Sequence, residues 1–275
     1  MKVKMLLPLL LAVVVFACSP KKAEQSIAPK EFVWMSITCD DNSSTTLLCP
    51  YSFLRLYDNG IFTGGALRGY VTGKWRNDSA TNQIWLVPGK TTALAEEFFT
   101  VFKVQDKTPL SMDVSVIRDF ESPNIVENNT MHLKAMELSF ENDPFRPDHQ
   151  LWREKPTKPE SPEQIKDRVK DYLLFLQMFY LFAAANKLER PDTDWFPHPM
   201  QMESPGAITM ANSAELKDWY ACFYNEEQAV EAYKVISGPF MQVKLKGNPD
   251  LNQRNADVVD QLLQQMNGKE IDKKL

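Results

Sequence analysis

Apolar and polar positions along the 275-residue chain fall into three regimes. The first is an apolar run at residues 5–17, broken only by Pro8 and preceded by Met-Lys-Val-Lys. It is too short to cross a bilayer, which takes ~20 apolar residues. A positive start followed by an apolar middle is the pattern of an export signal. The second regime extends from Phe32 to about Glu141 and consists of short β-branched and aromatic stretches between turn residues. Residues 32–38, 51–57, 61–63, 67–75, 83–87, 98–104, 112–117 and 131–140 read as strands. Asp58-Asn59-Gly60 is a hairpin turn and Gly64-Gly65 permits a bend. Short strands with frequent turns predict an antiparallel meander, sandwich or partial barrel.

In the third regime the spacing becomes helical. Ser161-Pro162-Glu163-Gln164 fits a capping box with proline at the first helical position. Ile165, Val169, Tyr172, Leu173, Leu176, Phe179 and Tyr180 then recur at helical intervals, and residues 175–185 are apolar on most sides. Such a helix must be buried against the sheet or against other helices. Asn212 and Asn225 are candidate caps of two further helices, the second stopped by Gly238-Pro239. A last amphipathic helix begins near Pro249 and ends at Asn267-Gly268. Between strands and helices, Pro144, Pro147, Pro156, Pro159 and Pro162 predict a linker or a strap along the surface. The expected fold class is therefore α+β, an N-terminal antiparallel β-sheet followed by a C-terminal helical part packed against it.

The end of the first apolar run adds an address. Ala17-Cys18 with polar residues after it resembles the lipobox of bacterial lipoproteins, with Phe16 bulkier than the usual residue there. That resemblance implies signal cleavage before Cys18 and lipid on Cys18, which would tie the mature chain to a membrane without spanning it. Ser19, in place of the aspartate that retains such proteins at the inner membrane of enteric bacteria, implies the outer membrane. Lys21 and Lys22, standing where surface-displayed lipoproteins of Bacteroidetes carry acidic residues, imply the periplasmic face. The expected organisation is signal peptide 1–17, lipidated tether 18–31, β domain 32–143, proline-rich linker 144–162, helical domain 163–268 and tail 269–275.

The oxidising periplasm gives two more cysteines a reading. Cys39 and Cys49 bracket a polar loop and are expected to form a disulfide, with two independent thiols as the alternative. Cys222, within the aromatic run Trp219-Tyr220-Ala221-Cys222-Phe223-Tyr224, is expected to be a buried, inert thiol. A formal net charge of −5 argues against nucleic acid as a partner.

Tyr57-Asp58-Asn59-Gly60-Ile61-Phe62, Gly73-Lys74-Trp75 and Gln83-Ile84-Trp85-Leu86 resemble the lipocalin-like lipoproteins common in Bacteroidetes. The resemblance covers about a tenth of the chain and implies a β meander, open or closed. Asp78-Ser79-Ala80, in an expected exposed turn, resembles the O-glycosylation motif of periplasmic proteins in that group and makes Ser79 a candidate modification site.

Chemistry is sparse. The chain has no Gly-x-Ser-x-Gly elbow, no phosphate-binding glycine loop and no His-Glu-x-x-His. Of its three histidines, His132 alternates with Met131 and Leu133 and is expected to face solvent, and His149 lies beside Asp148 in the strap. The third, His198, follows Asp192 and Asp194 within seven residues, a donor set that suits several divalent metals. Docking of that loop through Trp195 and Phe196 is the competing account. The expectation is a non-enzymatic accessory or binding protein of the envelope, requiring no cofactor and acting on a protein partner or a small ligand. A lipocalin-like carrier and a carboxylate- or metal-dependent enzyme at Asp192, Asp194 and His198 are the alternatives. A tagged pull-down from gently solubilised native envelope, with Cys18→Ala as control, discriminates among these. A stoichiometric partner lost in the control marks an assembly subunit; a solitary protein points to a small ligand or to the 192–198 loop.

Overall fold

A computed structural model describes residues 31–40, 51–66, 69–89, 100–118, 130–138, 142–189, 191–200, 216–244 and 249–268. Eight strands come first: β1 (Glu31–Asp40), β2 (Tyr51–Leu56), β3 (Ile61–Ala66), β4 (Gly69–Asp78), β5 (Gln83–Pro88), β6 (Thr100–Lys107), β7 (Ser111–Arg118) and β8 (Thr130–Leu138). Each pairs antiparallel with the next. β8 returns to β1, from Glu31↔Leu138 to Asp40↔Thr130, so the sheet is a closed barrel. This corrects the expectation of an antiparallel β-sheet left as an open meander, sandwich or partial barrel. Alternation marks strands and their faces, but closure depends on tilt and stagger accumulated over all eight strands.

The lumen is occupied by side chains. Tyr51 on β2 reaches across to β6, on the far side of the ring. Its ring meets Phe102 edge-on at 5.9 Å, and its hydroxyl lies 3.3 Å from the Thr100 hydroxyl. Gly64 makes room for this crossing, because a Cβ there would sit 2.7 Å from Tyr51 Cδ1. Leu54, Phe62, Leu86, Val114, Met131 and Leu133 fill the remaining layers. Trp75 on β4 donates its indole N–H to the Tyr57 carbonyl at 2.8 Å, fastening the first hairpin turn.

Outside, the wall is polar over much of its circumference, with Lys74, Arg76 and Lys103 exposed. One sector is apolar. Val33 and Met35 on β1, Phe53 on β2, and Met136 and Leu138 on β8 belong to the same buried cluster as the helices. A 3-10 helix (Pro147–Arg153) precedes α1 (Pro162–Ala185), α2 (Lys217–Ala221), α3 (Glu226–Phe240) and α4 (Leu251–Met266). The capping box opens α1 as its sequence implies: Ser161 accepts from Gln164 N–H, and Gln164 accepts from Ser161 N–H. α1 packs on α4 and on the 3-10 helix, burying Phe175, Phe179 and Phe182. No helix among the described residues is long and apolar enough to cross a membrane.

Two details differ from the sequence reading. α3 continues past Gly238-Pro239 to Phe240. A proline in the last turn removes one backbone donor without forcing the chain out of the helix there. The proline-rich segment also enters the core. Phe145 is buried against Phe53 at 4.3 Å and Phe182 at 5.1 Å, and Trp152 is buried against Tyr172 at 4.9 Å.

Asp143 fixes the start of that segment. Its carboxylate accepts from Arg55 Nε at 3.1 Å, Tyr57 OH at 3.4 Å and Phe145 N–H at 2.9 Å. The Arg55 and Asp143 side chains are 3% and 0% exposed, so this is a buried ion pair between barrel and strap. Removing one partner strands the other charge. Asp143→Ala is expected to lower unfolding stability by about 3–5 kcal/mol, and Arg55→Leu with Asp143→Ala to lower it less. Urea unfolding measures both; a double variant weaker than the single would contradict the pairing.

Candidate functional site

Where barrel, 3-10 helix and helical layer meet, a cleft of about 430 Å³ remains open. One wall is Gly69 and Tyr70 of β4. The loop residues Asp194, Trp195, Phe196 and Pro197 form another. Asp218, Ala221 and Cys222, from α2 and its end, form the third, with Arg153 at the end of the 3-10 helix. Gly69 holds φ +111, a conformation that favours glycine, and stands 3.7 Å by its notional Cβ from the Trp195 carbonyl oxygen. Glycine therefore lets β4 start close against the loop.

Arg153 is the chemically distinctive group. Its Nε donates to Gln150 Oε1 at 2.6 Å and its Nη1 to the Trp195 carbonyl at 3.2 Å. The guanidinium lies 4.3 Å from the Trp152 ring centre, 5.3 Å from Trp195 and 5.5 Å from Tyr70. Aromatic faces attract a cation, but they supply no strong acceptor. Nη2 is buried without a hydrogen-bond partner among the described residues. Burial pushes the guanidinium down to about 10, which still leaves it charged at neutral pH. Burial also raises Tyr70 and Tyr172, so both remain neutral phenols; they donate to the Phe145 and Pro197 carbonyls at 2.9 and 2.8 Å.

The loop that sequence reasoning singled out contributes to this cleft through Asp194. Two of its three candidate ligands, Asp192 and His198, are otherwise engaged. Asp192 Oδ1 accepts from Asp194 N–H at 2.9 Å, and the Asp192 carbonyl accepts from Trp195 Nε1 at 3.0 Å. His198 Nε2 donates to the Thr193 carbonyl at 2.8 Å, and its ring packs 4.6 Å from Phe196. Among the described residues no group of three or more His, Cys, Asp or Glu side chains is placed to hold a metal ion. Trp195 and Phe196 are buried between α1 and the barrel wall, Trp195 lying 4.8 Å from Phe53 and 5.6 Å from Phe175.

The remaining candidates are dispersed. His132 is on the outer barrel wall, 2.9 Å from Asp113, and half-buried rather than free in solvent. His149 Nδ1 donates to the Asp143 carbonyl at 2.7 Å. Ser79 is exposed in the β4–β5 turn, where Asp78 accepts from Ala80 and Thr81 N–H. Cys18 and Cys49 lie outside the described residues, and so does the Cys39 side chain. Arg153 and Asp218 escaped sequence reasoning. Arg153 follows a tryptophan in a proline-rich stretch and Asp218 precedes one on a helix, which gives neither a chemical signature.

The class of protein that these features define is a closed eight-stranded up-and-down barrel with a helical layer docked on one sector. No protein-family model matches the chain, and no curated protein sequence matches it either.

Cys222 is 6% exposed beside the cleft, its thiol 3.4 Å from the Asp218 carbonyl it donates to. Burial pushes it up to about 11, while the nearby Arg153 charge pulls the other way. The thiolate is the reactive form. Alkylation of Cys222 in the folded protein is therefore expected to be slow at pH 8 and to rise about tenfold per pH unit towards pH 10. Peptide mass spectrometry reads the rate; fast, pH-independent labelling would contradict the enclosed site.

Proposed function

We propose that this chain is a non-catalytic binding protein, held at the periplasmic face of a bacterial outer membrane by lipid on Cys18. Its ligand site is the cleft around Arg153 rather than the barrel lumen. The observation that carries this reading is the open cleft itself, lined by the charged Arg153 together with Tyr70, Trp195 and Phe196. The cleft volume lies within the ~300–1,000 Å³ range of small-molecule sites.

Two sequence features support the envelope address: the charged start with its short apolar run, and Ala17-Cys18 at the end of that run. A lipocalin-like carrier has the same strand topology, but Tyr51 and Phe102 meet within this lumen. The non-catalytic reading follows from the absence of a recognisable catalytic motif in the sequence.

Native mass spectrometry of the full chain, extracted from its own envelope in mild detergent, tests the site. A species beyond polypeptide and lipid is expected on the unaltered chain and absent from Arg153→Met. Identical masses for the two proteins would sink the cleft as the binding site.

A further inference from the structure

The barrel wall away from the helices carries a pattern of its own. In the closed ring β5 stands four places from β1, so β4, β5 and β6 form the side opposite the sector that the helices cover. Phe62, Trp75, Ile84, Leu86 and Phe102 belong to the lumen, so their neighbours along each strand turn outward. Three registered rows result: Ile61–Lys74–Val87, Arg76–Trp85 and Gln83–Lys103. Lys74, Arg76 and Lys103 are exposed, with Ile61, Trp85 and Val87 as apolar ground between them. The Arg76 guanidinium lies over the Trp85 ring, 4.6 Å from its centre. None of the three cations has an ion-pair partner among the described residues. Asp78 and Asp106, close by along the strands, accept instead from backbone N–H groups: Asp78 from Ala80 and Thr81, Asp106 from Lys107.

A chain of formal charge −5 thus keeps one bare cationic face. Acids gather on the helical side, with Glu226, Glu227 and Glu231 on α3 and Asp257 and Asp260 on α4. Cations interleaved with a tryptophan and aliphatic groups suit the interface of an anionic bilayer, where Lys and Arg meet phosphates and indole rings sit at headgroup level. Position agrees with chemistry. The strands alternate in direction, so the starts of β1 and β3 and the end of β4 share one end of the barrel. The chain from Cys18 therefore joins the barrel, at Glu31, at the end that carries Ile61 and Arg76. Residues 18–31 reach at most about 45 Å when extended. Half the ring, four strands apart, is only roughly 20 Å. We propose that the β4–β6 wall rests on the anionic phospholipid surface of the membrane that holds Cys18, with Lys74, Arg76 and Lys103 facing lipid phosphates. The inference rests on the lipid-anchor reading. It turns the helical layer away from the membrane and leaves the cleft, at the opposite end of β4, open to solvent.

Lysine acylation, read by peptide mass spectrometry, tests the proposal. The full chain is purified from native envelope in mild detergent and reconstituted into vesicles of phosphatidylcholine alone, or of phosphatidylcholine with about one third phosphatidylglycerol. Lys74 and Lys103 are expected to react at least about fivefold more slowly on the anionic vesicles, while Lys166 and Lys234, exposed on α1 and α3, react at unchanged rates. Raising the salt to about 0.5 M is expected to remove the difference. The double variant Arg76→Gln, Lys103→Gln, altered at exposed positions only, is expected to remove it at Lys74. Equal rates on the two vesicle types overturn the lipid surface. So does equal protection in detergent, which would mean that protein covers the wall. The Cys18 peptide from the same digest reports the anchor. Acylated Cys18 with unprotected lysines removes the docking alone, whereas unmodified Cys18 removes the anchor and the docking with it.

Discussion

The structure depends on one constraint: a closed barrel whose outer wall is apolar in a single sector must have that sector covered. Val33, Met35, Phe53, Met136 and Leu138 cannot turn inward, because alternation has already committed Trp34 and Leu54 to the lumen. Phe145, Trp195 and the aromatic face of α1 cover them. Burying side chains of this size gains roughly 1.5–3 kcal/mol each when complete. The two halves of the chain thus share one core. The Arg55–Asp143 pair contributes register rather than bulk, holding the strap where Phe145 must enter.

The same constraint places the cleft. Tyr51 and Phe102 meet inside the barrel, and open space is left at the junction, where a strand, a 3-10 helix, a loop and a short helix approach without closing completely. Junctions also collect polar groups that regular elements cannot satisfy internally. Arg153 terminates the 3-10 helix and supports the Trp195 carbonyl, so it helps build the seam while leaving one donor unused. Aromatic rings surround it, the Trp152 and Trp195 ring centres lying 4.3 and 5.3 Å from the guanidinium.

Much of the local structure was legible. The eight strand segments, the Asp58-Asn59-Gly60 turn, the Ser161 capping box and the Asn225 cap stand where alternation, turn chemistry and capping rules put them. Trp195 and Phe196 dock the 191–200 loop, one of the two accounts its composition allowed. Asp192, Asp194 and His198 read as a donor set because they are close in sequence. Asp192 and His198 are instead occupied by the loop's own hydrogen bonds, and Asp194 lines the cleft. Nearness along a chain says little about convergence when prolines fix the backbone between donors.

By itself the sequence determined the order and kind of the elements and the depth at which α1 must lie. These are set by neighbours two to four residues apart, through side-chain alternation, helical spacing and capping. Only the tertiary structure decided that β8 closes on β1, that the proline-rich strap enters the core, and that Arg153 meets Asp194 and Asp218 around one cleft. The physical reason is range. Closure sums small tilts over more than a hundred residues, and the cleft exists only where four separately specified elements come to rest against one another.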